Sequence, residues 1–118
     1  MKPVYIINGF LESGKTEFIT YTLSQPYFQI RGKTLLIVCE EGEVEYEEVL
    51  LRKSRTVMEA IDEEENFTPE NLIELEKKYK PERIVIEYNG MWNCKNMKLP
   101  WHWSVEQQIT TINGATFQ

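Results

Sequence analysis

Residues 9–16 have the glycine and lysine spacing G-x-x-x-x-G-K-[ST], which is typical of a phosphate-binding loop. The two glycines allow a tight backbone turn whose N–H groups converge on one anion. The lysine supplies a positive charge for the β- and γ-phosphates, and the final hydroxyl is a ligand suited to Mg²⁺. The segment reads Gly9, Phe10, Leu11, Glu12, Ser13, Gly14, Lys15 and Thr16.

The segments on either side of this loop have the patterns that a phosphate-binding loop requires. Residues 3–7 are almost uniformly apolar, which predicts a parallel strand buried on both faces. Residues 17–23 are compatible with a helix, whose positive dipole end would face the phosphate. A glycine turn without a ligand is the structural alternative.

Two further strand ends carry groups that could serve a bound nucleotide. An apolar run ends in Glu87, the arrangement of a Walker B acid that holds Mg²⁺ directly or through water. The alternative is a strand-end carboxylate that enters solvent. The second apolar run, residues 34–39, precedes a dense acidic group, from which Glu40 or Glu43 could link a cation or position water. Gly90 would let the backbone approach the γ-phosphate.

Strands alternate with helices along the chain, so we expect an α/β fold with a mostly parallel sheet between helical layers. Thr68 and Pro69 predict the start of a helix whose apolar face recurs at Leu72, Leu75 and Tyr79. Residues 40–66 predict a loop with a short strand near 56–58, residues 93–104 a loop, and residues 109–112 a final strand. A length of 118 residues predicts one domain, residues 1–118.

Charge and composition indicate which kinds of partner and which cellular location to expect. The net charge of −6 argues against nucleic acid, whose binding surfaces are basic. No apolar run is long enough to span a membrane and no signal peptide is evident, so we expect a cytoplasmic protein. Cys39 and Cys94 lie far apart, and Cys39 is expected to be a buried thiol. His102, flanked by two tryptophans, gives little support to a metal site.

Taken together, these motifs resemble the CobW-type P-loop GTPases, relatives of the nickel-insertion GTPases of urease and hydrogenase. The family loop G-F-L-G-S-G-K-T-T differs here at Glu12 and Glu17. Its N-E-F-G-E segment is similar to residues 39–43, its E-[ST]-[ST]-G segment to residues 87–90, and its V-V-D-A-x-x-F segment to residues 111–117.

The resemblance implies GTP and Mg²⁺ as ligands and GTP hydrolysis coupled to a conformational change. Lys15, Glu40 and Glu43 would then act in catalysis, with Thr16 and Glu87 at the metal. It further implies a metallochaperone or cofactor-assembly accessory with a client metalloenzyme or accessory protein, and it admits a homodimer. The metal-carrying C-x-C-C pattern is absent from residues 52–69.

The guanine-reading motif [NS]-K-x-D, which the family has further downstream, does not occur in the chain, so we expect the N-terminal part of a GTPase domain. Guanine preference therefore follows from the resemblance and not from a motif in this sequence. Two alternatives stay open: an adenine-nucleotide ATPase or kinase, and a non-catalytic module that docks a partner through its acidic stretch and its tryptophans.

Overall fold

The computed structural model describes residues 2–8, 15–29, 31–39, 46–92 and 97–110, with the backbone alone for residues 15, 16, 27 and 110. Five strands and three α-helices alternate through these residues, with two short 3-10 turns between them. The strands are β1 (Lys2–Asn8), β2 (Thr34–Val38), β3 (Thr56–Ala60), β4 (Arg83–Glu87) and β5 (Trp103–Thr110). The helices are α1 (Lys15–Leu23), α2 (Glu48–Lys53) and α3 (Pro69–Tyr79).

The five strands form one sheet in the order β3-β2-β4-β1-β5, and every neighbouring pair is parallel. The most apolar strands occupy the centre, because a parallel strand covered by helices is buried on both faces. All five residues of β2 and of β4 are buried accordingly. This arrangement confirms the predicted α/β fold with a parallel sheet.

Helices cover both faces of the sheet, which gives three layers. On one face, α3 packs through Leu72, Leu75 and Tyr79 against alternate residues of β1, β2 and β4. On the other face, α1 packs through Ile19 and Leu23, and α2 through its partly buried leucines. Since successive strand residues point to opposite faces, the two clusters share the central strands without sharing side chains.

Helix α3 begins and ends where its sequence predicts. The Thr68 side chain accepts a hydrogen bond from the Asn71 N–H at 3.2 Å, and Pro69 occupies the first turn. Such a cap satisfies a donor that the first helical turn would otherwise leave unpaired. The helix ends at Lys80, which adopts a left-handed conformation with φ of 51°.

The structure departs from the sequence predictions at two elements. Helix α2 lies within the stretch that we expected to be a loop, and β5 begins at Trp103, six residues before the predicted strand at 109. The expectation of a loop through Ser104 was therefore wrong. The short strand predicted near residues 56–58 is confirmed as β3, and Pro3–Ile7 lies within β1. Residues 111–112 of the predicted last strand lie outside the described residues.

The tryptophans divide between the core and the surface. Trp92 packs against the core on the α3 face and Trp103 is buried there, whereas Trp101 is 86% exposed. Cys39, directly after β2, is fully buried, as expected, and forms no disulfide within the described residues. None of the helices in the described part of the chain is long and apolar enough to cross a membrane.

Candidate functional site

The carboxyl ends of three neighbouring strands meet at the edge of the sheet where the phosphate-binding sequence begins. Strand β4 lies between β1 and β2, and the register aligns Glu87 with Ile7 on one side and with Val38 on the other. In open parallel sheets, ligands bind in the crevice beyond these strand ends. The predicted Walker B acid therefore lies between the strand that leads into residues 9–16 and the strand that leads into the acidic segment.

Both neighbouring strands fix the backbone around Glu87. Its carbonyl oxygen accepts a hydrogen bond from the Cys39 N–H at 2.8 Å, and the Tyr88 N–H donates to the Ile7 oxygen at 2.8 Å. The side chain of Glu87 is only 1% exposed. The alternative reading of Glu87 as a strand-end carboxylate in solvent is therefore wrong.

The Glu87 carboxylate has a hydrogen-bond donor from a distant part of the chain. The Tyr46 hydroxyl donates to Glu87 Oε2 at 2.9 Å, while the Tyr46 ring packs against the core on the α1 face. Buried ionisable groups need such partners, because an unsatisfied carboxylate in an apolar environment is costly. Tyr46 directly follows the acidic residues 40–45, so the bond ties the end of that segment to the predicted metal ligand.

Tyr46 was not among the site residues predicted from the sequence. The signal that could have identified it is compositional: it is the one aromatic residue within the acidic stretch 40–48. An aromatic side chain with a hydroxyl in such a stretch is able to pack inward and still offer a polar contact. The sequence does not reveal that Tyr46 pairs with Glu87, which lies 41 positions further along the chain.

The residues after Glu87 have two different roles. Tyr88 points to the opposite face, where its ring packs edge-on against Phe67 and Trp92 at centroid distances of 5.3 and 5.5 Å. Asn89 organises a turn, since its side-chain oxygen accepts from the Met91 N–H at 2.8 Å. Gly90 lies in this turn and is partly exposed. The turn thus places the backbone of Gly90 at the carboxyl edge of the sheet.

The remaining predicted site residues are described in part or lie outside the description. Helix α1 begins at Lys15 and covers the sheet face toward which the Glu87 side chain points. The side chains of Lys15 and Thr16 are outside the described residues, as are residues 9–14, Glu40 and Glu43. Their roles as phosphate, catalytic or metal residues stay predictions.

The single histidine lies at the amino edge of the sheet, opposite the strand ends that carry Glu87. His102 Nε2 is 2.7 Å from Glu76 Oε1, and the Trp103 indole N–H donates to the same oxygen at 2.8 Å. Burial alone would raise the pKa of Glu76, but the hydrogen bonds from Trp103 and His102 and the charges of His102 and Lys2 hold that pKa below its ordinary value. The cluster joins α3 to β5.

No group of three or more histidine, cysteine, aspartate or glutamate side chains that could hold a metal ion occurs among the residues whose structure is described. Of the residues predicted to hold a metal, the one whose side chain the structure describes is Glu87, at the carboxyl edge of the sheet. Carboxylate oxygens are suited to hard cations such as Mg²⁺, which protein sites often bind through one or two carboxylates together with substrate phosphates. The donor that is present thus fits an ion shared with a phosphate.

One comparison with known proteins identifies a family. The model of the family described as "CobW/HypB/UreG, nucleotide-binding domain" matches residues 3–116, which is nearly the whole chain. The sheet and the flanking helices agree with the P-loop α/β fold of that family. No curated protein and no solved structure matches the chain significantly.

Proposed function

Because the chain belongs to the CobW/HypB/UreG nucleotide-binding domain family, which supports a GTPase-type nucleotide-binding role, we propose that it binds GTP together with Mg²⁺ and takes part in GTP hydrolysis. The observation that carries this proposal is the buried carboxylate of Glu87, held between β1 and β2 at the carboxyl edge of the sheet. Glutamate is almost never fully buried unless it is paired, and a Mg²⁺ ion would be a partner suited to its carboxylate.

Each residue at this edge has a proposed role. The loop of residues 9–14 wraps the phosphates with its backbone N–H groups, and Lys15 contacts the β- and γ-phosphate oxygens. Thr16 and Glu87 hold Mg²⁺, which when bound neutralises charge on the phosphates. Gly90 lies close to the γ-phosphate in the turn that Asn89 forms.

The acidic segment supplies the part of the site that responds to the nucleotide. We assign Glu40 or Glu43 to the positioning of water or of the ion near the γ-phosphate. Tyr46 connects the end of this segment to Glu87 through the hydrogen bond of 2.9 Å. A change at the γ-phosphate would thereby reach α2, which begins two residues after Tyr46. Such loop movement is how nucleotide hydrolysis is commonly converted into a conformational signal.

The wider role that we propose is assistance to a client metalloenzyme or an accessory protein in the cytoplasm. Residues 52–69 form the end of α2, β3 and the segment leading to α3, and they include no cysteine. We therefore place any action on the client in the nucleotide cycle of this domain and not in a thiolate site of its own.

The test is the dependence of nucleotide affinity on Mg²⁺ in the wild type and in Glu87→Gln. Glutamine keeps the size of the side chain but removes the charge that the cation needs. We expect the wild type to bind a fluorescent GTP analogue more weakly after addition of EDTA, and Glu87→Gln to reproduce part of that loss. Affinity that neither EDTA nor the substitution changes would overturn the metal role of Glu87.

Displacement of the bound fluorescent analogue by unlabelled GTP or ATP shows which nucleotide base the protein prefers. Displacement by GTP at much lower concentration than by ATP supports the GTPase proposal. Equal displacement, or preference for ATP, would replace it with an adenine-nucleotide ATPase or kinase. Binding of neither nucleotide would favour a non-catalytic module.

A further inference from the structure

Basic residues are concentrated at the amino edge of the sheet, opposite the proposed nucleotide site. The chain has thirteen lysines and arginines. Ten of them lie either at or just before the start of a strand, or at the end of a helix that leads into a strand. Because all strands are parallel, these ten positions meet at one edge. They are Lys2, Arg31, Lys33, Arg52, Lys53, Arg55, Lys77, Lys78, Lys80 and Arg83.

Five of these cations surround one open cleft of about 720 Å³ on the face that α3 covers. We call it the basic cleft. Its cationic residues come from the segment before β2, the turn before β3 and the end of α3, and they are Arg31, Lys33, Arg55, Lys78 and Lys80. Its apolar wall consists of the partly buried side chains of Val57 and Tyr79.

The segment that carries Arg31 and Lys33 is held in place by Glu82. The Glu82 carboxylate accepts a hydrogen bond from the Gly32 N–H at 2.7 Å, and the Glu82 N–H donates to the Lys33 oxygen at 2.8 Å. A Cβ atom at position 32 would lie 2.9 Å from the Cβ of Glu82, so the close approach of the two segments favours glycine. The two cations are therefore displayed from a fixed backbone.

Two of the cations in the cleft occupy backbone conformations in which other residue types are more common. Arg55 and Lys80 have φ angles of 53° and 51°, and they are the non-glycine residues with positive φ in the described part of the chain. This region favours glycine or asparagine. The helix dipole stabilises a cation at the end of α3, which accounts for Lys78 and Lys80. It does not account for Arg31, Lys33 and Arg55, which lie outside helices.

Most of the cationic charge in the cleft is not neutralised within the described structure. Lys78 lies 3.6 Å from Glu59, and the Arg55 guanidinium donates to the Arg31 backbone oxygen. Arg31, Lys33 and Lys80 make no ion pair with any other described residue, and all three are exposed. Arg83 differs, because it is buried and its Nε donates to Thr34 Oγ1 at 2.8 Å.

From this arrangement we propose that the basic cleft is a docking surface for an acidic, extended segment of a partner protein. The cations complement the carboxylates of such a segment, and Val57 and Tyr79 accommodate an apolar side chain between them. A peptide fits better than nucleic acid, because the apolar wall of Val57 and Tyr79 suits an aliphatic side chain, which a phosphate backbone does not offer. This surface is separate from the proposed nucleotide site and does not depend on it.

The experiment measures binding of a fluorescein-labelled oligoglutamate peptide that contains one leucine, by fluorescence anisotropy with the full chain. The test variant is Lys33→Glu combined with Lys80→Glu. The matched control is Arg52→Glu combined with Lys53→Glu, which makes the same change of charge at the same edge, but on α2 and outside the basic cleft. Circular dichroism confirms that both variants are folded.

We expect the cleft variant to bind the peptide about ten-fold more weakly, since two surface ion pairs contribute roughly 0.7 kcal/mol each. The control variant should lose less than about three-fold in affinity. The peptide with leucine should also bind more tightly than one of glutamate alone. Equal losses in the two variants would overturn the proposal, because binding would then depend on overall charge. Tighter binding of a single-stranded oligonucleotide would overturn it in favour of nucleic acid. Self-association that only the cleft variant abolishes would overturn it in favour of a second copy.

Discussion

The hydrogen bond from Tyr46 to Glu87 has an effect on stability that can be worked out from the structure. Tyr46→Phe removes the hydroxyl but keeps the ring, which packs against the α1 face of the core. The acceptor is a carboxylate that is 1% exposed, so water does not readily replace the lost donor. A hydrogen bond to a charged group is worth about 1.5–3 kcal/mol. Glu87 has a further interaction, so we expect a loss of about 1.5 kcal/mol.

This loss corresponds to a measurable change in melting temperature. An unfolding entropy of about 2.1 cal/mol/K per residue gives about 0.25 kcal/mol/K for the whole chain, so the midpoint should fall by about 6 °C. The measurement is thermal unfolding followed by circular dichroism, without nucleotide. Tyr21→Phe is the control, because Tyr21 is 61% exposed on α1 and its substitution removes the same atom.

A double-mutant cycle assigns the effect to the pair. If the hydroxyl acts through Glu87, Tyr46→Phe should cost at least about 1 kcal/mol less in a Glu87→Leu background, which lacks both acceptor oxygens, than in the wild type. Equal melting temperatures for Tyr46→Phe and Tyr21→Phe would refute the reasoning, as would strict additivity of the two substitutions. Either outcome would mean that the contact does not satisfy the buried carboxylate.

Three further predictions concern other parts of the chain. Lys15→Ala should abolish binding of a fluorescent GTP analogue while leaving the circular dichroism spectrum unchanged, because its proposed partner is a ligand phosphate; undiminished affinity would contradict the phosphate role. Because the folded pKa of Glu76 is lowered, its stabilisation is present above the unfolded pKa and is lost as pH falls through the folded value. The difference in urea midpoint between the wild type and Glu76→Gln should therefore be full at neutral pH and shrink in acid, whereas a constant difference would argue against this linkage. Zn²⁺ titration against a chromophoric chelator should reveal no one-to-one site of nanomolar strength, with or without GTP, because a closed zinc site needs four ligands; such a site would point to ligands shared across a dimer.

The elements that the sequence predicted well are those whose own residues determine them. Strands β2 and β4 are buried on both faces, so each appears as an unbroken apolar run, and α3 has both a capping threonine and an apolar face. Helix α2 has six residues, too few for a helical period to be visible. Strand β5 lies at the edge of the sheet and carries polar residues toward solvent. Its first six positions therefore lack the apolar run by which a buried strand is recognised in a sequence.

The same distinction applies to the sites. Glu87 was identified because an apolar run ending in one acid is a local pattern. Tyr46 was missed because its partner is distant in sequence and only the fold brings the two together. The basic cleft was missed for a related reason: its cations occupy three short segments, each of which resembles an ordinary solvated turn. Their proximity follows from the parallel order of the strands.

Because Cys39 is buried beside the strand ends, the reactivity of its thiol can be used to measure local opening of the core. Its thiol is fully buried, and its backbone N–H is bonded to the carbonyl oxygen of Glu87. A thiol reagent therefore reaches the sulfur only when the core on the α3 face, to which Cys39 belongs, opens beside the Walker B acid. Under conditions where reclosing is faster than reaction, the labelling rate measures the free energy of that opening. Residue-resolved labelling of Cys39 would thus separate local loosening at the strand ends from unfolding of the entire chain.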